Sequence, residues 1–148
     1  MGRRRHSREL ALQFRYQYDA AQKSPDRNAD IEGLLNFFWE QNCGKSDDEI
    51  KDFFYLIIKG SCSNLLRINE IIERYSEHWK LSRISSIDRN ILRIAVYELV
   101  YLSNIPPAVT INEAVELGKT FGTEDSGAFI NGILDKIRIA LDKGELSI

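Results

Sequence analysis

Apolar side chains recur along this chain at three- and four-residue steps, the period of helices buried on one side. Leu10, Ala11, Phe14, Tyr18 and Ala21 form the first such stripe and predict a helix over 3–22. Arg4, Arg5, Arg8 and Arg15 fall mostly off that stripe. Lys23-Ser24-Pro25-Asp26 ends the helix, and 24–29 reads as a loop. Asp30 is a good N-cap for a second helix over 31–42, with Ile31, Leu34, Leu35 and Phe38 facing inward. Phe37 and Trp39 fall beside that face, at the core edge, and Asn42-Cys43-Gly44 closes the helix. Ser46 with Glu49 makes a capping box for a third helix. Its pattern, from Ile50 and Phe53 through Ile57 and Leu65 to Ile72 and Tyr75, runs unbroken to about residue 76. At 1.5 Å per residue that helix is about 45 Å long. Gly60 inside it costs about 1 kcal/mol relative to alanine. A close helix crossing beside Gly60 and Ser61 would account for it.

The pattern changes at Ile87–Leu102. From Ile91 onward only Arg93 and Glu98 are not apolar, and the apolar side chains cover every face. A helix without a polar stripe is buried. This one is short for a membrane span and carries Asp88, Arg89, Arg93 and Glu98. It reads as the central helix of an all-α domain. Arg93 then needs a carboxylate or helix-end carbonyls, since a buried guanidinium without partners is too costly. Residues 77–86 form a connection with about one helical turn, and Trp79, Leu81 and Ile84 should plug into the core. Ser85 or Ser86 caps the central helix, with Asp88 in its first turn. Asn104-Ile105-Pro106-Pro107 stops it. Thr110 and Glu113 read as a second capping box, opening a helix to Phe121, and Gly122 suits the left-handed position after its end. Thr123 caps a last helix over 124–142, with Phe129, Ile130, Ile133, Leu134 and Ile137 as its buried stripe. The tail after Lys143 reads as loose. No repeat or linker divides the 148 residues, which form one domain.

Charge adds a direction to this bundle. Residues 1–25 carry a balance of +4, and the rest of the chain −6. Arg3, Arg4, Arg5 and Arg8 sit in the first turns of a helix, where the dipole prefers anions. An external phosphate partner would explain that placement, and so would a frayed, solubilising end. Arginine both pairs with phosphate and stacks on unpaired bases. Catalytic chemistry finds little to use. His6 and His78 stand apart from any nucleophile, and Cys43 and Cys62 have no metal-ligand spacing. The glycines form no phosphate loop, Asp47-Asp48-Glu49 reads as a dipole-matching cluster, and neither metal nor cofactor is implied. No secretory signal follows the basic start, so a cytoplasmic protein is the default.

Three segments carry a family resemblance over nearly the whole chain. RRRHSRELALQFRYQYD looks like the arginine-rich first helix of the NusB family of bacterial transcription antitermination factors. WKLSRISSIDRNILRIAVYEL is similar to that family's central signature. PPAVTINEAVELGKTFGTEDSGAFINGILDKI resembles its carboxy-terminal signature. The resemblance implies a compact all-α bundle of about seven helices in two halves, about 1–76 and 77–143, around the central helix 87–102. It implies a non-catalytic factor that binds boxA RNA of ribosomal RNA operon transcripts with the ribosomal protein NusE, in the transcribing RNA polymerase complex. The family's RNA contact carries over onto Arg3, Arg4, Arg5 and Arg8. Its NusE-facing surface carries over onto Tyr16, Asp88, Phe121, Asp125 and Phe129. For those positions plainer readings stay open: helix N-termini for the aspartates, core for the phenylalanines, a surface aromatic for Tyr16. Two other classes also stay open. One is a targeting fragment related to RNA cytosine methyltransferases. The other is a helical interaction module, such as a homodimer, that binds no RNA.

Overall fold

The computed structural model describes residues 2–21, 31–43, 47–77 and 79–146. Among the described residues seven α-helices follow one another: α1 Gly2–Ala21, α2 Ile31–Asn42, α3 Asp48–Ser63, α4 Leu65–Tyr75, α5 Ser86–Tyr101, α6 Pro107–Phe121 and α7 Ser126–Asp142. A 3-10 turn spans Leu81–Arg83, and no strand occurs among the described residues. The loop at 24–29, the Asp30 cap, Gly44 and Ser46 lie outside the described residues.

The axis is α5, packed against α1, α3, α4, α6 and α7. Every residue from Ile91 to Glu98 is buried, which is why its sequence shows no polar stripe. The Ser85 hydroxyl accepts the Asp88 backbone N–H at 3.3 Å, so Ser85 is the cap. Arg93 finds the polar partners its burial demands: Asp19 Oδ1 at 3.2 Å, Asn69 Oδ1 at 3.0 Å and Asn90 Oδ1 at 3.0 Å.

On α1 the predicted stripe is too narrow. Leu12, Arg8 and Arg15 are buried as well as Leu10, Ala11 and Phe14. The reason is that α1 packs against both α3 and α5, so two of its faces lose solvent. Arg15 donates from Nη1 to Cys62 Sγ at 3.1 Å and lies over the Tyr18 ring. Around Phe54 the rings of Phe14, Phe38 and Trp39 pack at centroid distances of 5.5 to 6.2 Å. Trp39 is therefore core rather than edge. Leu34, expected inside, is exposed, and so is Phe37.

The predicted long third helix is two helices. Asn64 leaves helical geometry (φ −115°, ψ 21°) and its side-chain amide donates to the Gly60 carbonyl at 2.8 Å. Such local side-chain bonds offer the backbone an alternative to helix. The cap of α3 is Asp47, whose carboxylate accepts the Glu49 N–H at 2.8 Å. Gly60 does mark a close crossing: a Cβ there would occupy the space of the Tyr97 ring on α5, and Ser61 beside it is fully buried.

Five further expectations change from Trp79 onward. Trp79 is half exposed, packed edge-on against Phe129, because the segment before the 3-10 turn runs over the surface. Thr110 caps nothing. The helix already starts at Pro107, which suits the first helical position, and the Thr110 hydroxyl donates inward to Glu98 Oε1 at 3.0 Å. Gly122 is extended (φ −95°) rather than left-handed; it is needed for room, since a Cβ would meet the Ser126 side chain and the Gly118 carbonyl. Thr123 donates its N–H to Ser126 Oγ at 2.9 Å, and α7 starts only at Ser126. Nor is the segment after Lys143 loose through Leu146. Gly144 turns left-handed (φ 72°), and the N–H groups of Gly144 and Glu145 donate to Leu141 and Ala140 carbonyls. That is a Schellman closure, and it buries Leu146.

Candidate nucleic-acid interface and partner groove

The first turns of α1 place Arg3, Arg4 and Arg5 on the surface, with no acidic residue in the helix's first turn to offset the dipole. Carboxylates from other helices do so instead. Arg3 reaches Asp47 at 2.9 Å and Glu49 at 3.1 Å, beside the start of α3. Arg5 forms a two-bond fork with Glu113 of α6, Nε to Oε1 at 3.0 Å and Nη2 to Oε2 at 2.6 Å. That fork is the main reason the Glu113 carboxyl sits below its ordinary value, with burial opposing and the charges of Arg5 and Arg8 helping. Among the described residues Arg4 makes no ion pair; its guanidinium lies 4.7 Å over the Phe53 ring. The three arginines rim a groove of about 610 Å³ whose floor includes Ile105, Pro106, Val109 and Asn112.

Arg8 stands behind this edge rather than on it. It is 3% exposed and grips Glu98 of α5 through two bonds, Nε to Oε2 at 2.8 Å and Nη2 to Oε1 at 2.7 Å. Its Nη1 lies 3.7 Å from Glu113, and its guanidinium lies over Phe53. Off-stripe exposure of Arg8 is thus corrected: a buried guanidinium needs a buried carboxylate, and Glu98 supplies it.

A second groove of about 410 Å³ runs along the other side of α1, lined by His6, Leu10, Tyr16, Ile87 and Phe121 among others. Tyr16 (44% exposed) and Phe121 (47%) are brought together here. Asp88 follows Ile87 and is nearly buried, lower than a surface contact, with Oδ1 unpaired among the described residues. Asp125 is exposed and makes no side-chain cap bond to α7, so helix capping does not occupy it. Phe129 is half-buried and lines a different groove with Trp79, Tyr75 and Lys136.

Sequence reading found the arginines but missed what holds them. In the sequence Glu113 reads as half of a capping box, Asp47 and Glu49 as a dipole-matching cluster, and Glu98 has no assigned partner. Arg8 and Glu98 are 90 positions apart, Arg5 and Glu113 are 108, and no local pattern joins them. Among the described residues no cluster of His, Cys, Asp or Glu is placed to hold a metal ion, and no helix is long and apolar enough to cross a membrane.

An all-helical body with a cationic helix end over one groove and an aromatic-rimmed groove beside it defines a class, a helical binding protein. Residues 5–138 match the model of the NusB family. The chain is 46% identical to a transcription antitermination protein NusB of Desulforapulum autotrophicum, over 98% of this chain and 99% of that one. It is 43% identical to the NusB of Myxococcus xanthus, over 97% and 99%. Among solved structures it resembles T. maritima NusB (TM-score 0.79, 38% identity, 97% of each chain). It also resembles a chain in the crystal structure of antitermination factors NusB and NusE in complex with dsRNA (TM-score 0.78, 26% identity, 95% of this chain and 98% of that one). The chain belongs to the NusB family.

Proposed function

We propose that this chain is a non-catalytic, RNA-binding transcription antitermination factor that works in the cytoplasm. It binds boxA RNA of ribosomal RNA operon transcripts together with the ribosomal protein NusE, within the transcribing RNA polymerase complex. The observation that carries this reading is the edge of α1: Arg3, Arg4 and Arg5 line one groove and project from a helix whose first turn holds no acidic residue. Family membership supplies the RNA and the partner. In this reading Arg3, Arg4 and Arg5 meet phosphates, and Arg8 acts from behind by fixing α1 to α5. Tyr16, Phe121 and Asp125 meet NusE, with Asp88 supporting the groove beside Ile87 and Phe129 extending the contact surface past Trp79.

The test is the affinity of a boxA RNA oligonucleotide with and without NusE. NusE should strengthen binding, and no gain would sink the proposal. Arg4→Ala should weaken binding and lower the slope of log affinity against log salt by about one, the signature of one lost phosphate contact. Asp125→Ala and Tyr16→Ala should lower NusE affinity while leaving the salt slope for RNA alone unchanged.

A further inference from the structure

We propose that Glu113 is a specificity-determining residue of the arginine edge. It restrains Arg5 and lowers the affinity of the free chain for polyanions that offer phosphates and nothing else. The inference rests on the RNA reading given above.

The charge of this edge is balanced in number. Arg3 pairs with Asp47 and Glu49, Arg5 pairs with Glu113, and Arg4 has no ion pair among the described residues, so these six groups together carry no net charge. The three carboxylates are not equivalent. Glu49 is 73% exposed and can swing aside when a phosphate arrives. Glu113 is 16% exposed and lies 3.7 Å from the buried Arg8, so it stays where it is. A phosphate that takes Arg5 away from the fork leaves a fixed carboxylate beside it. Arg5 spends Nε and Nη2 on Glu113, which leaves Nη1 without a hydrogen-bond partner among the described residues, on a side chain that lines the groove. A ligand that fits the groove can use that donor without breaking the fork, and it meets an arginine already ordered. A ligand without such a fit must either break the fork or do without Arg5. Rejection of the wrong partner by a fixed like charge is one half of specificity.

The experiment compares a boxA RNA with oligo(U) of equal length on the intact chain. Glu113→Gln should raise oligo(U) affinity about threefold, the scale of one exposed ion pair, and raise boxA affinity less, so their ratio narrows. Glu116→Gln removes the same charge one helical turn away without breaking a hydrogen bond to Arg5, and should raise oligo(U) affinity less than Glu113→Gln does. In an Arg5→Ala background the Glu113→Gln gain should vanish. The proposal is overturned if Glu113→Gln matches Glu116→Gln, if the ratio stays constant, or if the gain survives Arg5→Ala. Should Glu113→Gln lose its helical circular dichroism, Arg5→Lys opens the same fork from the exposed side and should narrow the ratio in the same way; an unchanged ratio there is equally decisive. If the parent chain binds boxA RNA no better than oligo(U), the functional reading fails, while the comparison of the two glutamine variants on oligo(U) still decides the restraint.

Discussion

Glu98 accepts two bonds from Arg8 and one from the Thr110 hydroxyl while only 1% exposed. Three elements, α1, α5 and α6, meet on one carboxylate. Glu98→Gln would leave the buried Arg8 charge with Glu113, 3.7 Å from Nη1, as its remaining counterion, at a cost of up to about 3 kcal/mol, the low end for breaking a buried pair. Urea unfolding would read this as a lower midpoint, and adding Arg8→Met should restore part of the loss, since the remaining charge is then gone. Asp19 makes a second such node with Arg89, Arg93 and Asn90. Burial pushes its carboxyl up, but the hydrogen bonds of Arg89 and Asn90 and the charges of Arg93 and Arg89 outweigh it. The folded value lies below the ordinary 3.8. A depressed carboxylate contributes stability that is fully present above its unfolded value and is lost as pH falls through the folded one. Asp19→Asn should therefore cost about 2 kcal/mol at neutral pH. Parent and variant should converge well below pH 3.8, checked by unfolding curves across that range. The need of Arg93 for polar partners was legible from its place in an apolar helix. Which carboxylate answered was not, because Asp19 lies on another helix, 74 positions away.

Among the elements, the α3–α5 crossing depends on one missing methyl. A Cβ on Gly60 would intrude on the Tyr97 ring, which is itself buried. Gly60→Ala gains about 1 kcal/mol in helix propensity and loses about 1–3 kcal/mol to overpacking. The expected net is destabilisation, seen as a lower Tm. At the chain end, Gly144→Ala strains a left-handed residue and should cost about 1 kcal/mol, a smaller effect on the same measurement. Helix positions were legible because periodicity is a property of each segment. Helix ends were less so. The Thr110 hydroxyl and the Glu113 carboxylate matched a capping box by spacing alone, yet each found a better partner in another helix. Asn64 broke a helix without breaking its apolar rhythm, so the pattern on either side gave no warning.

For the whole molecule, the position of α5 has a mechanical meaning. Five other helices pack on it, and α1 joins it through Arg8 and Asp19 as well as through its apolar face. We expect the chain to unfold as one cooperative unit, with coincident transitions by far-UV circular dichroism and tryptophan fluorescence. Trp79→Phe would remove the exposed indole and leave the buried Trp39 as the reporter near Phe54. Separated transitions would mean that the two halves expected from the sequence melt independently. The all-α architecture and the cationic end were readable because both are written in composition and period. The two grooves were not, since each is made by residues that only folding brings side by side.

The spans of 46, 90 and 108 positions between the arginines and their carboxylates also order events in time. A ribosome adds about 5–20 residues per second, so the nascent basic helix waits roughly 5–20 s after its own synthesis before Glu113 exists to hold Arg5. During that interval Arg5 and Arg8 lack the carboxylates of α5 and α6 that hold them in the folded chain. If Glu113 restrains Arg5 as proposed, the nascent chain discriminates least before α6 is made.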